Sequence, residues 1–159
     1  MNKFFVSLAI LAVSACGFNL KGSGLSHDQL PYQAWLVDGG ELQQPLETAL
    51  LRTKARPVDA QQAQAIVTVN KIDAQKDILT ITRAAKINEY LLILTVEAEA
   101  SIGGKVLGEP MRITIQRPMD YADSEVLGKQ EEEAMIWQEM RRDAAEQIVQ
   151  RLSFIKANP

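Results

Sequence analysis

Apolar and polar residues alternate most clearly from Tyr90 to Ile102. Tyr90, Leu92, Leu94, Val96, Ala98 and Ala100 fall on one side, and Thr95, Glu97, Glu99 and Ser101 on the other. Successive side chains of a strand point to opposite faces, so this pattern predicts a long strand with one dry face. Gly103-Gly104 supplies a permissive turn, after which Met111, Ile113 and Ile115 alternate with Arg112, Thr114 and Gln116 until Pro118, which is expected to stop the ladder. Upstream, Ala65 to Ala74 is rich in β-formers and Ile78 to Thr82 extends or resumes it, so the three segments predict a meander. Tyr32 to Val37 predicts a further strand, ended by the turn cluster Asp38-Gly39-Gly40.

Two segments carry the helical period instead. Leu42, Leu46, Ala49 and Leu50 recur at steps of three and four, predicting a short amphipathic helix over Leu42 to Lys54, with Pro45 tolerable in its first turn and Pro57 beyond its end. From about Gln130 to Ile155, Trp137, Met140, Ala144, Ile148 and Leu152 form an apolar stripe, and Glu131-Glu132-Glu133 sits where the helix dipole favours negative charge. At 1.5 Å rise per residue this helix would be about 39 Å long, more than the width of a four-stranded sheet, so one end should project toward a partner. The expected fold class is α+β in two layers, with two helices packed on one face of a small four-stranded mixed sheet whose other face is comparatively polar.

The first residues do not fit this body. Met1-Asn2-Lys3 is a short cationic start, Phe4 to Val13 is apolar apart from Ser7, and Ser14-Ala15 is a small pair, the pattern of a secretory signal over residues 1 to 15. The apolar run is well short of the about 20 residues that a spanning helix needs. Val13-Ser14-Ala15-Cys16 resembles the bacterial lipobox, in which cleavage before the cysteine is coupled to its acylation; the bland alternative is an inert cysteine after an ordinary cleavage site. Two or more acyl chains anchor a protein stably at about 0.8 kcal/mol per buried methylene, which would replace a transmembrane helix. Gly17 follows the cysteine where Asp would signal inner-membrane retention, so sorting to the outer membrane is expected. Residues 16 to 159 then form a single domain, its first part, 16 to 30, a polar tether containing Gly and Ser.

Composition narrows the chemistry further. The chain has 159 residues, 47% hydrophobic and 23% charged, with six Pro and nine Gly, which is neither disordered nor collagen-like. Seventeen Lys and Arg against twenty Asp and Glu give a net charge of -3, or -4 once Lys3 leaves with the signal, so no broad electropositive face is expected for nucleic acid. Any binding of a polyanion must be local. One cysteine excludes an intrachain disulfide framework, and His27, the one histidine, has only Asp28 beside it, so it is read as a solvated loop residue rather than a metal ligand. No nucleophile elbow, zincin motif, phosphate loop or dinucleotide fingerprint occurs, and neither a cofactor nor an enzymatic activity is expected.

The charged segment with most information is Thr82-Arg83-Ala84-Ala85-Lys86-Ile87-Asn88-Glu89-Tyr90. Predicted strands enter and leave it, which puts Arg83 and Lys86 at a hairpin tip with Ile87 beside them. Cations next to apolar surface suit an anionic amphiphile; a solvated hairpin end is the alternative. Lys129, before the terminal helix, is open to the same two readings.

These segments also carry a resemblance. Cys16-Gly17-Phe18-Asn19-Leu20-Lys21-Gly22 resembles the C-G-[FW]-x-L-[RK] start of the LptE (RlpB) family of lipopolysaccharide-assembly lipoproteins, although Asn19 stands where His is common. Arg83 to Tyr90 is similar to that family's R-x-x-x-x-x-E-Y hairpin entry, and Lys129 to Leu152, with Glu139-Met140 and Asp143-Ala144-Ala145-Glu146-Gln147-Ile148, to its terminal helix. The resemblance implies a palmitate-bearing lipoprotein of the Gram-negative outer membrane that plugs the LptD β-barrel, supports its assembly, and binds lipopolysaccharide for delivery to the cell surface. It carries Arg83 and Lys129 over as basic positions that contact the glycolipid; Lys86 is added on charge and position. A scaffold that fills the barrel without a functional glycolipid site is the alternative. Mass spectrometry of the mature N-terminus is expected to find Cys16 acylated, and an unmodified thiol there would remove the anchor.

Overall fold

The computed structural model describes residues 30–83, 87–121 and 126–156. The signal, Cys16 and most of the tether lie outside the described residues. Strand β1 (Ala34–Asp38) leads through a 3-10 turn (Gly40–Leu42) into helix α1 (Gln43–Leu51), followed by β2 (Arg56–Pro57), β3 (Ala65–Ile81), β4 (Ile87–Ile102), β5 (Lys105–Asp120) and helix α2 (Val126–Leu152). The sheet order is β2-β1-β3-β4-β5. β1 pairs in parallel with β2 and β3, while β3, β4 and β5 form the antiparallel meander expected from their alternation. Parallel neighbours need a crossover, and α1 provides it between β1 and β3.

The sheet therefore has five strands, not the four expected. The extra strand is two residues long and includes a proline, too short to carry a period. It is held on β1 by Arg56 N–H donating to the Gln33 carbonyl at 2.8 Å and Val58 N–H to the Trp35 carbonyl at 2.9 Å. Pro57 is tolerated because β2 is an edge strand. Pro118 likewise does not stop β5, which continues to Asp120 with Pro118 opposite Leu91; β5 is the other edge, where an absent N–H costs no ladder bond on the solvent side.

Each element buries the face its period assigned. Leu92, Leu94, Val96, Ala98 and Ala100 of β4 are all buried, as are Met111, Ile113 and Ile115 of β5, Ala65 and Val67 of β3, and Trp35 and Val37 of β1. Against this face pack Leu46, Ala49 and Leu50 of α1 and Met140, Ala144, Ala145, Ile148, Val149 and Leu152 of α2. Trp35 is fully buried, and its indole N–H donates to the Tyr32 carbonyl at 2.8 Å, which satisfies the one polar atom it brings into the core. The opposite face carries polar pairs such as Arg112 with Glu97 at 3.0 Å and Thr95 with Thr114 at 3.4 Å.

Gly39 allows the tight entry into α1. A Cβ there would lie 2.7 Å from the backbone of Gln43, whose side-chain oxygen accepts the Gly39 N–H at 2.9 Å. Exposed ion pairs orient α2 on its neighbours: Arg52 pairs with Glu146, Glu41 with Arg141 at 3.0 Å, and Asp143 with Arg117 at 2.6 Å. Such pairs contribute only about 0–1 kcal/mol each, so burial of the apolar face decides stability.

That division is testable on adjacent residues of β4. Leu94→Ala removes a fully buried side chain and should lower the unfolding free energy by about 2–5 kcal/mol in urea titration. Thr95→Ala, on the polar face, should cost within about 0.5 kcal/mol. Equal losses would contradict a one-sided core.

Candidate functional site

The core does not extend along the whole sheet. Among the described side chains of α2, every fully buried one lies from Met140 onward, at the end of the body where β3 begins and β4 turns into β5. β3 has no buried residue after Val67, whereas β4 and β5 stay buried on the helix side as far as Leu92 and Met119 before β3 and β4 run on to the 81–87 hairpin. The N-terminal half of the long helix runs beside this distal sheet, with Ile136 and Trp137 partly buried against the core.

A side-chain cluster ties the two together. Lys76 faces the helix side of β3, in a stripe with Ile72, Ala74 and Ile78 set by pairing with Val96, Leu94, Leu92 and Tyr90. Its ammonium lies 2.5 Å from a Glu133 carboxylate oxygen on α2 and 4.3 Å from the centroid of the Tyr90 ring. Glu133 also accepts the Trp137 indole N–H at 3.3 Å. Tyr90 meets Tyr121 edge to face at 5.2 Å, and the Tyr121 N–H donates to the Asn88 carbonyl at 2.8 Å. A cation on a ring and against a carboxylate fixes three elements at one place without a large core.

Beyond this cluster the hairpin leaves apolar side chains uncovered. Ile78 is 57% exposed and Ile81 63%, with Leu79 between them also exposed. The β3–β4 pairing is irregular here, with shifts between Ile78 and Thr80 and between Thr80 and Ile81. Such irregularities twist an edge and turn side chains away from the pleat. Thr80, Glu89 and Asn88 close a polar network on the tip through the Thr80 hydroxyl, at 2.9 Å to Glu89 and 3.3 Å to Asn88.

Of the residues expected at the site, Arg83 follows this apolar strip in the turn, is exposed, and forms no ion pair among the described residues. Lys129 stands on α2 one turn before Glu133, at the same end of the molecule. It is not a bare cation: its ammonium is 2.7 Å from Glu132, and its side chain retains only 16% of its accessible surface. Lys86 and Cys16 lie outside the described residues. Sequence reasoning missed Lys76, Glu133 and the Tyr90–Tyr121 pair. A lysine at period two within Ile72, Ala74 and Ile78 was the available signal, a charge placed in an otherwise apolar stripe.

Among the described residues no set of three or more His, Cys, Asp and Glu is placed to hold a metal ion, and no helix is long and apolar enough to cross a membrane. The hairpin end presents a cation, Arg83, and the exposed apolar side chains Ile78, Leu79 and Ile81.

Comparison with known proteins agrees with this geometry. Residues 32–152 match the family model LptE, described as lipopolysaccharide-assembly. The LPS-assembly lipoprotein LptE of Pectobacterium atrosepticum is 28% identical, over 96% of this chain and 85% of that protein. The LptE of Yersinia enterocolitica is 29% identical, over 96% of this chain and 75% of that one. Among solved structures, lipoprotein B of Nitrosomonas europaea superposes with a TM-score of 0.70 at 26% identity, covering 86% of this chain and 90% of its own. A minor lipoprotein of Acinetobacter baumannii shares the fold, with a TM-score of 0.68 at 22% identity, covering 82% and 100% of the two chains. Together these make the protein a non-enzymatic envelope lipoprotein of lipopolysaccharide assembly, and the chain belongs to the LptE family.

Proposed function

We propose that the protein is anchored in the outer membrane through Cys16, fills the lumen of the LptD β-barrel while supporting that barrel's assembly, and binds lipopolysaccharide at its hairpin end through Arg83, Lys86 and Lys129. The reading rests on Arg83, which follows the exposed strip Ile78, Leu79 and Ile81 in the chain, and on Lys129, which stands on α2 one turn before Glu133, the partner of Lys76 on β3. A glycolipid with phosphates beside acyl chains asks for both kinds of surface at once. Guanidinium and ammonium groups donate charge-assisted hydrogen bonds to phosphate, and the uncovered isoleucines and leucine meet the hydrocarbon. Overall charge is -3, so attraction is confined to this end.

The two described cations have different parts in this mechanism. Arg83 is exposed and meets a phosphate without surrendering a carboxylate. Lys129 is held by Glu132, and a phosphate draws it away only by outcompeting that pair. The Lys76–Glu133 clasp keeps the start of α2 beside the hairpin, so that both cations approach one ligand. Pairing of lipid phosphates with protein cations competes with the divalent ions that bridge lipopolysaccharide aggregates, and no covalent step is needed.

The scaffold alternative draws on the other sheet face. Glu97, Arg112, Thr95 and Thr114 present a polar surface on which nothing packs among the described residues. A barrel wall would suit it, and plugging alone would need no glycolipid site.

Arg83→Glu combined with Lys129→Glu separates the two. Lipopolysaccharide pull-down should fall by at least about tenfold, given about 1.5–3 kcal/mol for each hydrogen bond to a charged group, while the complex with LptD still purifies. Undiminished pull-down would reject these residues as a site and leave the scaffold. Under the scaffold alternative, Thr95→Arg with Thr114→Arg should lower LptD abundance first.

A further inference from the structure

β5 forms one edge of the sheet over its 16 residues, and among the described residues no strand lies beyond it. In an antiparallel ladder alternate residues turn their N–H and C=O groups to the neighbouring strand, and the residues between them turn theirs away. Three observations fix this phase on β5. Ile102 and Lys105 close a turn of two glycines, Gly103 and Gly104, both at positive φ, and the residues that close such a turn face each other's backbone. Counted along β4 from Ile102, Ala98 is in the same phase, so its partner Met111 faces β4 while Arg112, Thr114, Gln116 and Pro118 point their backbone outward. Pro118, which has no N–H to offer a neighbour, falls in the outward set. The Arg112 carbonyl agrees as well, because it accepts from the Arg151 guanidinium on α2 at 3.0 Å.

These outward groups are not equally open. Toward the β4–β5 turn the ladder is interrupted: Ala98 pairs with Met111 but Ala100 with Leu107, so Gly108, Glu109 and Pro110 bulge, with Gly108 at a φ of 70°. Toward the far end, Pro118 offers an acceptor and no donor. Between the two, α2 runs along the edge strand and is fastened to it twice. Arg117 pairs with Asp143 at 2.6 Å, and about two helical turns later Arg151 reaches the Arg112 carbonyl. The Arg112 side chain itself lies on the polar face, against Glu97 at 3.0 Å. What the edge still presents is the N–H of Arg112 and both backbone groups of Thr114 and Gln116.

The window from Met111 to Arg117 matches itself. Thr114 is its centre, and Pro110 and Pro118 stand at equal distances on either side. A second β5 laid antiparallel with Thr114 opposite Thr114 sets Arg112 opposite Gln116, Ile113 opposite Ile115 and Met111 opposite Arg117. No like charges then face one another, and the outward groups of each strand meet outward groups of the other. A second copy of this chain is therefore a partner that fits the edge in register. One group in the window is already engaged. The Gln116 N–H of the second strand would need the Arg112 carbonyl, which Arg151 holds, and the two-fold arrangement meets that obstacle at both ends.

We propose that Arg151 guards the β5 edge: by occupying the Arg112 carbonyl it prevents the 111–117 window from pairing with the same window of a second copy, and so keeps the chain single. An edge strand with open backbone groups is a template for another chain, and proteins blunt it with charge, proline or a bulge. Here the bulge and Pro118 limit the length of the window, and the guanidinium of Arg151 closes what lies between them. Its planar fork is always charged, so the guard does not switch off with pH. The inference needs neither the LptD partner nor the glycolipid site.

The test uses the mature full-length chain carrying Cys16→Ser, so that neither an acyl chain nor a thiol joins two copies. With Arg151 in place, sedimentation velocity should find the monomer mass at every concentration. Arg151→Met keeps the unbranched stem on the helix and removes the donors. It should move the mass toward the dimer as concentration rises, and at the highest concentration slow deuterium exchange of the Thr114 and Gln116 amides by about tenfold or more. Adding Thr114→Pro, in the phase where β5 already accommodates Pro118, should restore the monomer, because only an outward N–H is lost. Arg83→Glu should not change the mass, which keeps this test separate from that of the glycolipid site. Arg151→Ala takes the place of Arg151→Met if the latter loses its native circular dichroism. A folded variant without Arg151 that stays monomeric throughout would overturn the proposal. So would association that Thr114→Pro leaves intact, or dimers that form while Arg151 is present.

Discussion

The structure rests on one mismatch of length. Its dry core forms where α1 and the second half of α2 cover the sheet, but β3, β4 and β5 continue for several residues beyond the last fully buried helix position. Past Leu92 and Met119 the hairpin has few buried side chains to hold it. Here the support is the Lys76 ammonium held between Glu133 and the Tyr90 ring, together with the Tyr90–Tyr121 contact. That solution leaves Ile78, Leu79 and Ile81 uncovered beside cations. The site is thus a consequence of where the core stops.

The same one-sidedness divides the surface of the molecule. One sheet face is committed to the helices and the other is polar. The proposed function uses the hairpin end for the glycolipid. The geometry needs no catalytic group, in keeping with the family to which the chain belongs.

What could be read from the sequence follows the strength of its periods. The alternation of Leu92 to Ala100 and of Met111 to Ile115 assigned the buried faces correctly, since a side chain on the wrong side of such a strand would expose its whole apolar set. The α1 and α2 stripes were equally legible. β2 was not, because a two-residue strand containing Pro57 has no period, and the continuation of β5 through Pro118 depended on its becoming an edge. The tip cations Arg83 and Lys129 were visible as charges near predicted turns. The Lys129–Glu132 pair is an i,i+3 spacing that the sequence does display, whereas the bracing of the hairpin by Lys76 depends on a contact between β3 and α2 that no local pattern encodes.

Photocrosslinking in intact cells tests the central claim most directly. A photoreactive residue at position 81, on the exposed end of β3, should capture lipopolysaccharide, while the same residue at position 47, on α1 in the other half of the body, should not. Capture at 47 as efficient as at 81, or none at 81 in a protein made at its usual level, would contradict the proposed glycolipid site at the hairpin.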